Sequence, residues 1–174
     1  MTPIALLLRN TLPLLALLFL SNSLQALPED RDKPVQVSAQ RMEWHNERQV
    51  GVYQGDVEAS QGELRLEATT LTLYRAPQGQ LDRLLAEGSE DLAYMRDRPD
   101  LEQPQVEAWA ESIDYHPAEE KVILSGQAHL RQGEDNFRGH RLTYHLTTQD
   151  LVAEQAESED SKIEVILTPK RNGD

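Results

Sequence analysis

The sequence predicts an all-β chain: an antiparallel β-jellyroll, or rolled sheet, built from internally repeated strand pairs and open at both ends. Three observations carry this. Apolar and polar residues alternate along much of the chain, turn residues punctuate the alternating runs, and one motif recurs at fixed spacing through the 174 residues.

The alternation comes first. Val35, Val37 and Ala39 form one apolar face; Leu64, Leu66 and Ala68 form another, with Glu63, Arg65 and Glu67 opposite. Leu71 and Leu73 alternate with Thr70 and Thr72, and Ile163, Val165 and Leu167 with Lys162, Glu164 and Thr168. A period of two means strands with one buried face. Gln61-Gly62, Pro77-Gln78-Gly79, Gln132-Gly133 and residues 147–150 supply the turns. The best helix candidate, residues 81–86, is assigned to a strand by the repeat.

The repeat has an offset of 71 residues, which carries Ala39-x-x-Met42-x-Trp44 onto Ala110-x-x-Ile113-x-Tyr115, Gly55-x-Val57 onto Gly126-x-Ala128, and Gln61-Gly62 onto Gln132-Gly133. A finer repeat of 29 residues relates Ala39 to Ala68 and Ala110 to Gly139, so one motif occurs four times: a small residue, then large apolar ones three and five places on. The odd step from Ala39 to Met42 cannot keep both residues inward in one unbroken strand. A bulge or corner must lie between them. A chain that turns a corner in every repeat wraps around its core; an ordinary compact β-sandwich is the alternative.

Such a roll has two ends with unpaired backbone groups. Pro34 and Pro169 lie outside the alternating runs, so the edges are available for strand addition by another chain. The expected inward residues are Val35, Val37, Trp44, Leu66, Tyr115, Leu130, Phe137 and Tyr144. An open roll lined this way takes up acyl chains at roughly 0.8 kcal/mol per buried CH₂.

Residues 12–20 read LPLLALLFL after Arg9, followed by SNSLQA ending at Ala26. This is the pattern of a secretory signal peptide, too short to span a bilayer as a permanent helix. The expected organisation is a cleavable segment, 1–26, one β-domain, 27–169, and a short tail, 170–174, with an uncleaved anchor as the alternative. There is no cysteine, so neither disulfides nor thiolate chemistry is available.

The net charge is −13, and loss of residues 1–26 removes Arg9 and no acid, leaving −14. That argues against nucleic acid and anionic membrane surfaces as partners. An enzyme is disfavoured. His45, His116, His129, His140 and His145 show no metal-ligand spacing, although His129, His140 and His145 form a candidate cluster. Glu63 and Glu67 face solvent on an alternating strand, and no nucleophile motif or phosphate loop occurs. No metal and no cofactor are expected. Trp44 and Tyr115 could instead stack on sugars in a scaffold or glycan-binding module that carries no lipid.

The stretches Pro34-Val35-Gln36-Val37-Ser38-Ala39, Tyr53-Gln54-Gly55-Asp56-Val57, Gln61-Gly62 and Ala68-x-x-Leu71 resemble the OstA-like family of lipopolysaccharide transport proteins. Ala108-x-x-x-Ser112-Ile113-Asp114-Tyr115 and Leu124-Ser125-Gly126-Gln127-Ala128 repeat the pattern. The resemblance covers about residues 34–168 and is closest to the family's soluble periplasmic members; a membrane-anchored member shares the fold. It implies a β-jellyroll of many short strands in the periplasm, with lipopolysaccharide as ligand and the lipid A acyl chains in an apolar groove. It places Val35, Val37 and Tyr115 among the lipid-contacting positions. It also implies head-to-tail self-association. The N-terminal edge (Val35, Gln36, Val37, Ser38, Ala39) would meet an inner-membrane partner. The C-terminal edge (Ile163, Glu164, Val165, Ile166, Leu167) would meet an outer-membrane translocon or the next copy.

Overall fold

The computed structural model describes residues 33–98, 102–156 and 162–169. The expected signal peptide and the tail lie outside them. Twelve antiparallel strands form one hydrogen-bonded sheet: β1 (Gln36–Ser38), β2 (Arg41–His45), β3 (Val50–Gln61), β4 (Leu64–Arg75), β5 (Leu81–Glu87), β6 (Ala93–Asp97), β7 (Val106–Ala110), β8 (Ser112–His116), β9 (Lys121–Gln132), β10 (Asp135–His145), β11 (Leu151–Glu154) and β12 (Glu164–Ile166). A 3₁₀ turn, Pro117–Glu119, joins β8 to β9. Residues 81–86 lie in a strand, as the repeat requires.

Four strands are longer than the resemblance implied. β3, β4 and β9 have 12 residues and β10 has 11. Each bends midway and serves two layers. In the first layer the order is β2, the start of β3, the end of β4, β5, β8, the start of β9, the end of β10, β11. In the second it is β1, the end of β3, the start of β4, β6, β7, the end of β9, the start of β10, β12. The two layers enclose the core.

The bends are built at equivalent places in the two halves. The register between β3 and β4 shifts between Gln54 and Val57, where Gly55 (φ 81°) and Asp56 (φ 44°) are both left-handed. In β9 the same place holds Gly126 (φ 75°) and Gln127 (φ 48°). A glycine is needed because a Cβ at Gly55 would lie 2.8 Å from Gln40 Cδ, and one at Gly126 2.6 Å from Glu111 Cδ. The chain crossing from β1 to β2 is tied to this bulge by the Gln40 amide donating to the Gly55 carbonyl (3.0 Å); Glu111 does the same to Gly126 (2.9 Å) where β7 becomes β8. Side chains then close the corner. Gln40 Nε2 donates to Asp56 Oδ2 at 2.5 Å, and Gln127 Nε2 donates to Glu111 Oε1 at 3.0 Å. Amide and carboxylate have exchanged places between the halves, and the hydrogen bond survives.

The small residues of the fourfold motif sit at these corners, so the odd step from small to large residue is the passage from one layer to the other. The core spans both halves and includes Leu66, Leu71, Ile113, Tyr115, Leu124, Leu130, Leu142 and Tyr144. Burial of each large aliphatic or aromatic side chain contributes about 1.5–3 kcal/mol.

The exchange sets a test. Gln40→Glu faces Asp56 with a second carboxylate and is expected to cost about 1 kcal/mol in urea unfolding. Adding Asp56→Gln recreates the arrangement of the second half and is expected to recover most of that loss. A double variant no more stable than the single one would show that the corner does not depend on this pair.

Candidate functional site

The space between the layers is filled by the core in the middle and opens as a cleft at the N-terminal end. Apolar side chains that fold inward in the middle meet the opposite layer; those at the ends have no layer segment beyond them. Tyr115 and Leu130 are 0% exposed, and Leu66 and Tyr144 are also buried. Val35, Val37 and Phe137 are half-buried and pack on the edge of the core. Trp44 is 37% exposed. Thus of the eight expected inward residues, four are buried in the core, while Val35 and Trp44 come together in a cleft at the N-terminal end that Val37 does not line. Phe137 lies towards the C-terminal end, opposite Leu130 and Val165.

At the N-terminal end a cleft of about 710 Å³ opens between the layers. Val35, Trp44, Tyr53, Leu73 and Leu81 supply its apolar wall, with Arg75 and Lys33 at its rim. Trp44 lies flat across the sheet because its cross-strand neighbour is Gly51. A Cβ on Gly51 would sit 3.1 Å from Trp44 Cε3 and 3.0 Å from Tyr53 Cε2, so any larger residue pushes the indole away. Arg75 is held by its own turn: Nε and Nη2 donate to the Gly79 carbonyl at 3.1 and 3.0 Å. Its guanidinium carbon lies 5.9 Å from the Trp44 ring centroid, within cation–π range. Gln61 ties the incoming chain to the cleft by donating from Nε2 to the Lys33 carbonyl at 3.0 Å.

Tyr53, Leu73, Leu81 and Arg75 were absent from the sequence-based set. Leu73 was legible as an alternating residue. Arg75 had no apolar signal and enters the site through the Gly79 turn.

The second half shows what this cleft looks like when filled. Trp44, Leu73 and Arg75 correspond by the repeat to Tyr115, Tyr144 and Leu146, all buried. Among the described residues the Tyr144 hydroxyl has no hydrogen-bond partner, and burial pushes its pKa up to about 12.

At the C-terminal end apolar side chains are exposed on and beside the last strand. Ile163, Val165 and Leu167 flank or form β12 with Leu167 at 64% exposed, and β12 pairs only with β10 among the described strands. β11, likewise, pairs only with β10, and β1 and β2 only with β3. Each end therefore offers two free strand edges. Of the expected edge segments, Gln36, Val37 and Ser38 form β1, flanked by Val35 and Ala39; Glu164, Val165 and Ile166 form β12, flanked by Ile163 and Leu167.

The outer faces are polar and internally paired. Arg83 binds Asp114 through Nε (2.6 Å) and Nη2 (2.8 Å), and this contact raises the Arg83 pKa. Glu107 accepts from Arg131 and, at 3.0 Å, from the Tyr94 hydroxyl; the Arg131 contact holds its carboxyl below the usual range. His129 faces outward, stacked on Trp109 with centroids 5.0 Å apart. Among the described residues no group of three His, Asp or Glu side chains is placed to hold a metal ion, the His129, His140 and His145 set included. No helix among them is long and apolar enough to cross a membrane.

Tyr144 yields a measurable consequence. Its pKa is raised on folding, so the unfolded state loses the proton first. Stability should be full below pH 10 and fall by about 1.4 kcal/mol per unit between pH 10 and about 12. Tyr144→Phe should remove that slope and raise stability by about 1 kcal/mol at neutral pH, because a buried hydroxyl without a partner disappears. An unchanged alkaline slope in chemical denaturation would contradict the burial of this group.

Comparison with known proteins agrees with this architecture. Residues 36–150 match the model of the family described as LptA/(LptD N-terminal domain) LPS transport protein. The chain is 30% identical over 170 residues to the lipopolysaccharide export system protein LptH of Pseudomonas aeruginosa PAO1, spanning 93% of this chain and 96% of that one. It is 27% identical over 147 residues to LptA of Escherichia coli K12, spanning 84% of this chain and 77% of that one. The crystal structure of LptH, the LptA-homologous periplasmic component of the lipopolysaccharide transport device of P. aeruginosa, superposes with a TM-score of 0.73 at 28% identity, covering 82% of this chain and all of that one. The chain belongs to the LptA/(LptD N-terminal domain) family of lipopolysaccharide transport proteins.

Proposed function

We propose that this protein is a periplasmic lipopolysaccharide carrier. It takes up the acyl chains of lipid A between its two layers and hands them on towards the outer membrane. The observation that carries the reading is an apolar cleft that opens between the layers at the N-terminal end, with free strand edges and exposed apolar side chains at both ends. Transport of this kind makes and breaks no bonds. It needs only a path along which the chains stay out of water, with neighbouring positions of similar affinity, so that lipid pushed in at one end moves on. The sugars and phosphates stay outside in water, which accommodates an anionic ligand on a chain of net charge −13.

In this reading the protein is exported and the segment 1–26 removed. An inner-membrane component of the transport system meets the β1 and β2 edges. The outer-membrane translocon, or the next copy, meets β11 and β12. Val35 and Trp44 greet the lipid at the N-terminal cleft, with Val37 two residues further along the chain in β1. Leu66, Tyr115, Leu130 and Tyr144 meet it only when the layers part, because they lie buried in the packed core. Phe137 lies near the exit.

Photo-crosslinking tests this in cells. A photoreactive side chain at position 37 or 44 should crosslink lipopolysaccharide in resting protein, whereas one at 115 should do so only during active transport. Val37→Asp should abolish delivery while leaving the protein folded and exported. Normal delivery with Val37→Asp would count against the groove.

A further inference from the structure

The N-terminal cleft has an electrostatic character that its apolar wall does not account for. The chain carries 30 Asp and Glu residues, yet none of them lines this cleft. The clefts at the two corners of the fold differ: Asp56, Glu58 and Glu67 line one, Glu111 and Glu164 the other. The charged side chains of the N-terminal cleft are both basic. Lys33 precedes β1 in the second layer, and Arg75 ends β4 in the first.

Arg75 also differs from the arginines of the outer faces. Arg41, Arg83, Arg131, Arg138 and Arg141 each meet a carboxylate. Among the described residues no carboxylate lies against Arg75, and its side-chain hydrogen bonds are the two to the Gly79 carbonyl. Those bonds use Nε and one N–H of Nη2. They leave Nη1 and the second N–H of Nη2 without an acceptor among the described residues, and that edge of a guanidinium matches two oxygens of a phosphate. The turn makes room for the group: Gly79 has φ 90°, and a Cβ there would lie 3.0 Å from Arg75 Nη2. The guanidinium is therefore held in place beside the Trp44 indole before any ligand arrives. The fold itself does not require a cation here. The repeat equivalent of Arg75 is Leu146, which is 1% exposed, so the chain places an aliphatic residue where this position is sealed and a cation where it borders a cleft.

We propose that Arg75 binds a phosphate of the lipid headgroup at the mouth of the cleft, through Nη1 and Nη2, while the attached acyl chains lie along Trp44 and Leu81. The ligand class is a phosphorylated, multiply acylated glycolipid. The proposal deepens the carrier reading and rests on it. The phosphate remains in water at the rim, where Arg75 is itself exposed, so no charge is buried. The contact orients the lipid, with its head at the rim and its tails inward, and it selects phosphorylated lipid from uncharged lipid of the same chain length. On a chain of net charge −13, a mouth without acids also spares an anionic headgroup the repulsion it would meet at the corner clefts.

Two lipid probes with identical acyl chains separate head from tail: a diglucosamine lipid carrying two phosphates and its phosphate-free counterpart. The exported full-length protein should bind the phosphorylated probe about tenfold more tightly, the worth of one charge-assisted hydrogen-bonded contact. Added salt should shrink that preference. Arg75→Gln should erase it, and Arg75→Lys, with its charge on a single ammonium, should keep part of it; urea unfolding checks that each variant is folded. Equal binding of the two probes by the parent would overturn the proposal. So would an Arg75→Gln variant that weakens both probes alike and keeps the preference, because Arg75 would then only support Trp44. Micromolar binding of inorganic phosphate by the lipid-free parent, lost in Arg75→Gln, would overturn it too, since the site would then serve a free anion. A parent that binds neither probe would instead sink the carrier reading.

Discussion

Two left-handed bulges, Gly55-Asp56 and Gly126-Gln127, hold the rest of the structure in place. Without them β3 and β9 would run straight, and a single wide sheet would expose one apolar face to water. With them, each long strand leaves one layer and enters the other, and the apolar faces meet. The backbone bonds from Gln40 to Gly55 and from Glu111 to Gly126 fix where the crossing occurs. A sheet folded on itself in this way needs no helix to cover it and no disulfide to hold it.

The same device leaves the ends unfinished. A repeat buries its inward face only when another repeat follows it. In the middle of the chain that neighbour exists, so Tyr115 is sealed. At the N-terminal end it does not, and its counterpart Trp44 lines a cleft instead. Exposed edges and exposed apolar side chains normally invite aggregation. Here they coincide with the openings of the interior, so whatever completes the edges also lengthens the apolar path.

Much of the fold was legible in the chain. Alternation located most strands, and Gly62, Gly79 and Gly133 marked turns. The spacing from Ala39 to Met42 demanded a corner, and the corner is there. The candidate site was harder to read. Trp44 and Tyr115 hold the same place in the repeat and look alike in sequence, yet one borders a cleft and the other is buried. Arg75 carries no pattern that would put it beside an indole; the turn at Gly79 does that.

The sequence by itself determined which side chains face inward, where the chain turns and that its halves are equivalent, because these are local consequences of pleat geometry and glycine conformation. Only the tertiary structure decided which inward residues are sealed and which stay open. That depends on whether a neighbouring repeat lies beyond them, and equivalent residues in a repeat cannot encode their own distance from the end.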